Sequence, residues 1–167
     1  MKKEALLLLT STVFLSGSDY TLEIEIPELD VAEYHNPYLA VWIENNNNEH
    51  ISDVSVWYKT KKGKHSGTKW LKDLRSWWRK SGRDLDLPID GLSNPTKRPG
   101  KHSISLNKVL DTFRDQAAGD YKIMVEAVRE VGGREVVSVP FKWDGKSLKS
   151  NNPTVQGKSE ITAITLK

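Results

Sequence analysis

The sequence contains no cysteine among its 167 residues. A chain without cysteine forms no disulfide and no thiolate metal site, and it has no thiol nucleophile and no thiol for lipid attachment. Exported proteins do not require disulfides, so this absence leaves the compartment open.

Long apolar runs are scarce as well. The run over residues 5–15 is shorter than the roughly 20 residues that a membrane-spanning helix needs. Lysines precede it and small residues follow it, a pattern that predicts a secretory signal peptide over residues 1–18. A buried N-terminal strand or helix is the alternative. We expect residues 19–167 to form a single, soluble periplasmic domain that is large enough to bury a sizeable core.

Basic residues are missing from residues 19–58, which carry nine acidic side chains, whereas residues 59–83 carry ten basic side chains and one acid. Such a basic block attracts anionic groups. The two blocks either face each other within the fold or the basic block meets an external anion. Because the chain is expected to be exported, we expect no nucleic-acid partner.

Recognisable catalytic motifs are also lacking: the sequence has no phosphate-binding glycine loop, no nucleophile elbow and no His-Glu-x-x-His. Its four histidines are isolated, and only a site assembled through space, for example from His35 and a carboxylate, would bind a metal. We therefore expect a protein that binds or presents something, not an enzyme. A periplasmic hydrolase remains a third alternative.

Short alternating segments with turn residues between them predict an all-β fold. The turns at residues 45–48 and 132–133 close two hairpins. The predicted strands are residues 20–26, 37–44, 51–60, 102–106, 121–129, 134–143 and 160–166. This succession favours an immunoglobulin-like antiparallel β-sandwich.

The apolar period changes over residues 69–80, which predict one inserted amphipathic helix lying across a sheet. Its apolar face consists of Trp70, Leu71, Leu74, Trp77 and Trp78. Trp42 and Trp57 are opposite in phase to their apolar strand neighbours, so the helix covers them or they form an exposed aromatic surface for a planar ligand. The candidate ligand or partner surface comprises His35, Tyr38, Trp42, Trp57, Arg75 and Arg79.

A long loop rich in proline and glycine spans residues 83–100. Loops of this length in compact domains are often functional. On physical grounds alone, residues 90–100 are most simply a turn whose Asp, Ser and Thr side chains cap local backbone groups.

Three segments resemble the predicted periplasmic family named domain of unknown function 2271. They are residues 33–44 (EYHNPYLAVWIE), 70–83 (WLKDLRSWWRKSGR) and 119–130 (GDYKIMVEAVRE). The last segment is also similar to the immunoglobulin-like modules of flagellar hook-capping proteins, a fold analogy that carries no function.

The family resemblance implies a setting beside inner-membrane PepSY-type proteins and a periplasmic flavin transferase, associated with iron or siderophore reduction. The family's loop resembles Asp-x-x-Thr-Gly-Ala-Thr, on which such transferases esterify a Thr hydroxyl with FMN. Asp90, Ser93 and Thr96 match it. The resemblance thus implies FMN on Thr96, with Lys97 and Arg98 offsetting the phosphate charge.

The sequence departs from the family's loop where Asn94-Pro95 replaces Gly-Ala. Proline restrains its own backbone and that of the residue before it, which puts entry into a transferase site in doubt. The leading hypothesis is an accessory protein of a membrane-associated electron-transfer or iron-acquisition system, working by docking and as a flavin carrier. The alternative is a non-covalent binding module for a small anionic or planar ligand, such as a ferric chelate or haem.

Overall fold

A computed structural model describes residues 19–60 and 67–167. The predicted signal peptide, residues 1–18, lies outside the described residues. Ten strands dominate: β1 Thr21–Ile26, β2 Tyr38–Asn45, β3 His50–Tyr58, β4 Ser93–Pro95, β5 Gly100–Ser105, β6 Gly119–Val128, β7 Arg134–Trp143, β8 Leu148–Lys149, β9 Thr154–Gln156 and β10 Ala163–Leu166. Two short α-helices are α1 Arg75–Lys80 and α2 Asn107–Thr112, with 3-10 turns at Gly67–Asp73, Gly82–Asp84 and Phe113–Asp115.

The strands form two sheets that pack face to face. The first has the order β5-β1-β10-β9 and the second the order β4-β3-β2-β6-β7-β8. The pairings are antiparallel except that of β3 with β4, which is parallel. The predicted all-β sandwich is therefore confirmed, with one parallel edge strand that the sequence did not suggest.

The main core lies between the sheets, because alternate residues of β1, β2 and β6 point inward as strand geometry requires. Leu22, Ile24 and Ile26 from β1 meet Val41 and Ile43 of β2. Further inward residues come from β6, β7 and α2, among them Ile123, Val125, Val139, Phe141 and Phe113. The outward residues of β1, Glu23 and Glu25, remain partly exposed.

A second core lies on the outer face of the six-stranded sheet, where the segment around α1 covers it. Trp42, Val56 and Tyr58 pack there against Leu71, Leu74 and Trp77, all buried. Gly82 lets this segment fold back closely, because a β-carbon at that position would lie 2.5 Å from the Trp77 ring. The sheet is thus buried on both faces at β2 and at the end of β3, whereas the outer face of β7 is exposed.

The predicted helix over residues 69–80 does lie across a sheet, but it is not one α-helix. Its first part is a 3-10 turn, Gly67–Asp73, and α-helix begins only at Arg75. A 3-10 turn has about 3.0 residues per turn, so the expected phase is lost and Trp70 is 48% exposed. Leu71, Leu74 and Trp77 are buried as expected.

Candidate functional site

The segment that resembles a flavin acceptor loop joins the edges of the two sheets. Residues 89–97, called the strap here, include β4 at the free edge of the six-stranded sheet. Three residues later the chain begins β5, the edge strand of the other sheet. The strap thus crosses the open side of the sandwich, and its backbone there is partly ordered as a strand where the sequence predicted irregular structure.

Polar side chains fix the strap to β3. The Tyr58 hydroxyl donates to Ser93 Oγ at 3.2 Å, and the backbone N–H of Ile89 donates to the same oxygen at 3.0 Å. Asn94 Nδ2 donates to Ser55 Oγ at 3.1 Å and to the Leu92 carbonyl at 3.2 Å. Ser93 and Asn94 therefore hold the strap in place, and the bond from the Ile89 N–H to Ser93 is a local cap of the kind that the turn interpretation expected.

A cleft of about 860 Å³ lies between the strap, the edges of β3 and β5, and α2. This volume falls in the range of small-molecule sites. Its lining includes Ser55 and Trp57 of β3, Asp90, Asn94 and Lys97 of the strap, Lys101 and His102 of β5, and Lys108 of α2. We call it the strand-edge cleft.

Three lysines and two aspartates, Asp53 and Asp90, line this cleft. Lys101 lies 3.8 and 3.9 Å from the carboxylates of Glu23 and Glu25, which offset its charge in part. Lys108 packs its ammonium group on Gly91, where a β-carbon would come within 2.6 Å of Nζ. Within the described part of the chain, Lys97 has no ion pair. Lys97 and Lys108 therefore offer positive charge to an anionic ligand.

An aromatic pair closes the inner end of the cleft. The Trp57 and His102 rings meet edge to face, with centroids 5.7 Å apart, and Trp57 Nε1 donates to Ser55 Oγ at 3.1 Å. His102 Nε2 lies 2.7 Å from the Arg98 carbonyl. A carbonyl only accepts, so Nε2 carries the proton and Nδ1 of the neutral ring is an acceptor.

The predicted cofactor residues all lie on or beside the strap, but they do not all face the cleft. Asp90 and Lys97 line it, whereas Ser93, Thr96 and Arg98 are not among its lining residues. Thr96 is half-buried, directly precedes Lys97 and makes no side-chain hydrogen bond within residues 19–60 and 67–167. Its hydroxyl therefore has no structural role comparable to that of Ser93.

The predicted ligand or partner surface divides into separate parts. Trp42 is 0% and Trp57 2% exposed, so the expectation that they form an exposed aromatic surface is wrong. Trp42 lies under the segment around α1, while Trp57 faces the main core. Tyr38 and Arg75 line a second cavity of about 560 Å³. His35 lies 3.8 Å from Glu130, and Arg79 is exposed on α1.

Sequence reasoning missed several residues of the cleft, among them Ser55, Lys101, His102 and Lys108. They lie on three elements whose adjacency depends on strand order. The sequence indicates only that the two lysines are charged, and charge alone does not show which side chains lie close together in the fold.

A hydrogen-bonded cluster around Asp53 lies on the outer face of β3. Trp77 Nε1 donates to Asp53 Oδ1 at 2.7 Å, His50 Nε2 lies 3.1 Å from the same oxygen, and the Ser81 hydroxyl donates to Oδ2. Burial alone would raise the pKa of Asp53, but the His50, Ser81 and Trp77 contacts lower it below its usual value. The carboxylate stands between Ser81 and His50, which is not the order of a nucleophile and its base.

The residues described contain no group of three or more histidine, aspartate or glutamate side chains arranged to hold a metal ion. They also contain no helix long and apolar enough to cross a membrane.

The three segments that suggested a family include β2 and β6, which are neighbours in the six-stranded sheet, and the segment around α1, which covers that sheet's outer face. The family model for domain of unknown function 2271, described as a predicted periplasmic protein, matches residues 19–163. The chain belongs to this family. This DUF2271 protein is therefore periplasmic, and the match begins directly after the predicted signal peptide.

No curated protein matches the chain, and no solved structure matches it. The similarity of this DUF2271 protein to hook-capping modules accordingly stays a prediction.

Proposed function

We propose that this protein is an accessory component of a membrane-associated electron-transfer or iron-acquisition system and that it carries FMN at the strand-edge cleft. The observation that carries the proposal is the position of the strap. The segment that resembles the family's acceptor loop forms one wall of a cleft whose other walls supply lysines and a histidine. An inner-membrane PepSY-type protein is the partner that the family resemblance implies.

The residues present fit the chemistry of FMN. A phosphate group favours ammonium donors, and Lys97 and Lys108 are the candidates because Lys101 already faces Glu23 and Glu25. His102 offers a ring nitrogen as a hydrogen-bond acceptor to the polar edge of the flavin ring. Trp57 is too buried for a ring to stack on its face, so it serves as a wall. When bound, FMN would supply one-electron and two-electron redox chemistry.

Covalent attachment would use Thr96. Ester formation from free FMN would release water and lacks an activated leaving group, so the donor class is a flavin dinucleotide. The Thr96 oxygen forms a bond to the FMN phosphorus, the pyrophosphate P–O bond breaks, and the hydroxyl proton leaves with AMP. Thr96 suits this role because its hydroxyl, unlike that of Ser93, holds no other group within the described residues.

Pairing of β4 with β3 limits this reaction. Val56, Trp57 and Tyr58 pair with Ser93, Asn94 and Pro95, so a transferase can reach Thr96 only from the side of residue 97 or after β4 has separated from β3. The Asn94-Pro95 departure from the family's loop falls on this paired stretch. Covalent attachment is therefore expected to depend on opening of the strap.

The deciding experiment is the intact mass and visible spectrum of protein purified from its native envelope. The proposal expects a mass raised by one FMN minus water and a flavin spectrum that survives denaturation. Thr96→Ala should abolish both, whereas Thr112→Ala, a threonine that lines the same cleft on α2, should leave attachment intact. An unmodified native protein would overturn the covalent version.

Non-covalent binding in the same cleft is the second candidate, favoured by the charge of Lys97, which has no ion-pair partner among the described residues. Titration of unmodified protein with FMN and with riboflavin separates the two ligands by one phosphate. FMN should bind more tightly, and Lys97→Ala with Lys108→Ala should weaken FMN binding about tenfold or more while leaving riboflavin unchanged. Equal affinity for both flavins would contradict a phosphate site; tighter binding of a ferric chelate or haem would identify the other ligand class.

A further inference from the structure

Exposed apolar side chains gather at the end of the sandwich where β6 turns into β7. Trp70 is 48% exposed and Val131 87% exposed, and both line the cavity of about 560 Å³. Val131 adopts a positive φ of 55°, which is rare for a β-branched residue. The hairpin thus presents an apolar side chain to solvent in a backbone conformation that local preference disfavours.

Basic residues lie beside Trp70 on the same segment of the chain. Lys69 lies over the Trp70 ring with Nζ 4.9 Å from its centroid, and Lys72 and Arg75 are exposed on the same segment. None of the three has an ion pair within the described ranges. We call the set Lys69, Trp70, Lys72, Arg75 and Val131 the basic-aromatic patch.

A complementary segment lies in the β1–β2 connection. Residues 28–33 carry exposed Glu28, Asp30 and Glu33 around Val31, which is 42% exposed. Neither Glu28 nor Asp30 is ion-paired to another described residue. This acidic loop, residues 28–33, therefore combines the opposite charge with an exposed apolar side chain.

The acidic loop and the basic-aromatic patch are neighbours on the molecule. His35 connects them, since its Nε2 lies 3.2 Å from Glu33 and its Nδ1 lies 3.8 Å from Glu130, the residue before Val131. Lys59 Nζ reaches the same Glu130 carboxylate at 3.5 Å. Two copies related by a two-fold axis between the two surfaces would bring each patch against the other copy's loop.

We propose that this end of the sandwich is a self-complementary interface through which two copies of the chain form a dimer. In such an isologous contact, each patch–loop pairing occurs twice. Trp70, Val131 and Val31 supply the apolar contacts, and tryptophan is prominent among residues that dominate interface energetics. The charges set the register and make association sensitive to salt. This interface is independent of what the strand-edge cleft binds.

Sedimentation velocity over a series from micromolar to millimolar protein tests the proposal. The native chain should pass from monomer to dimer, and salt at about 1 M should weaken the dimer. Trp70→Ala should raise the dissociation constant about tenfold or more. Ile89→Ala is the matched control, because Ile89 is also an exposed apolar residue but lies on the strap; it should leave the constant unchanged.

Charge reversal distinguishes loss of the dimer interface from misfolding of a variant. One variant carries Lys69→Glu and Lys72→Glu; the other carries Glu28→Lys and Asp30→Lys. Each alone should be monomeric, since its patch and loop then bear the same sign, while an equimolar mixture should form a heterodimer with both pairings complementary. Monomeric native protein at every concentration, a mixture that stays monomeric, or species larger than a dimer would each overturn the proposal.

Discussion

One carboxylate accepts hydrogen bonds from every backbone N–H group of a four-residue turn. Glu135 accepts N–H donors from four successive residues, Lys158, Ser159, Glu160 and Ile161, at 2.5, 2.9, 2.8 and 3.1 Å. Burial would raise the pKa of Glu135, but these backbone donors lower it below its usual value. Hydrogen bonds to the ionised form favour that form, so the carboxylate fixes the chain just before β10.

Replacement of Glu135 by Gln should make the stability of the fold less dependent on pH. A folded-state pKa below the usual 4.5 gives stability that is complete above that pH and is lost as pH falls through the lowered folded pKa. At neutral pH the native chain should be more stable by about 1 kcal/mol, a value discounted for partial exposure. Urea unfolding over a pH series measures the difference, which should close in acid.

Asp86→Asn is the control for this measurement, because Asp86 is exposed and makes no hydrogen bond within the described residues. It should leave the unfolding curve unchanged at all pH values. A Glu135→Gln deficit that is equally large at low and at neutral pH would mean that shape, not charge, accounts for the role of Glu135.

At the scale of elements, α1 depends on a side chain of a neighbouring strand to cap its first turn. Six residues are too few for an isolated helix, and α1 has no side-chain cap of its own. The fully buried carboxylate of Glu126 on β6 accepts the N–H of Ser76 at 3.0 Å and of Trp77 at 2.9 Å. Arg134 Nε donates to the same carboxylate at 2.6 Å. The negative charge of Glu126 is therefore balanced, and the first N–H groups of α1 have an acceptor.

Glu126→Ala should therefore detach α1 from the sheet. The change leaves the backbone donors of Ser76 and Trp77 without an acceptor, at a cost of about 1–3 kcal/mol for each donor, whereas the partly exposed Arg134 can be solvated by water. Hydrogen exchange over residues 75–80 should speed up, and tryptophan fluorescence should shift because Trp77 gains access to water. Glu130→Ala, four residues along but exposed, should alter neither; unchanged exchange in Glu126→Ala would refute the capping role.

The elements differ in how far the sequence could predict them. Strands β1, β2, β3, β6 and β7 follow from alternation and turn residues, and their bounds shift by only one or two residues. The phase of Trp42 and Trp57 was harder to interpret, because both faces of their sheet are covered. Trp57 pairs with Leu39 of β2 and therefore faces the main core with it. Trp42 lies three residues after Leu39, so strand alternation turns it to the outer core.

At the scale of the whole molecule, a buried ion pair connects the two sheets. Arg129 follows β6 in the six-stranded sheet, and Glu160 precedes β10 in the other. Arg129 Nε and one terminal nitrogen donate to the two Glu160 oxygens at 2.9 and 3.2 Å. The Gly133 N–H adds a third bond to Glu160 at 2.8 Å. The pair closes the sandwich at the end that carries the β6–β7 turn.

The strand-edge cleft marks the limit of sequence reasoning at this scale. The strap was found through resemblance, and its lysine and aspartate do line the cleft. The opposing wall could not be predicted, since it requires β3 and β5 to be edge neighbours across the open side of the sandwich. That adjacency follows from the order of strands in each sheet, which local pattern does not encode.

Removal of one member of the Arg129–Glu160 pair should cost far more than replacement of both. Glu160→Ala leaves the Arg129 charge buried without a partner and should destabilise the fold by about 3–5 kcal/mol, whereas Arg129→Met combined with Glu160→Leu should come much closer to the native stability. Thermal or urea unfolding of the native chain, of Arg129→Met, of Glu160→Leu and of the double variant forms a complete cycle. Exposed Arg114, paired with Asp111 at 2.9 Å, provides the control, since loss of that pair should cost less than about 1 kcal/mol. If the double variant lost as much stability as the sum of the two single variants, the pair would not act as a unit, and connection of the sheets would rest on the apolar core alone.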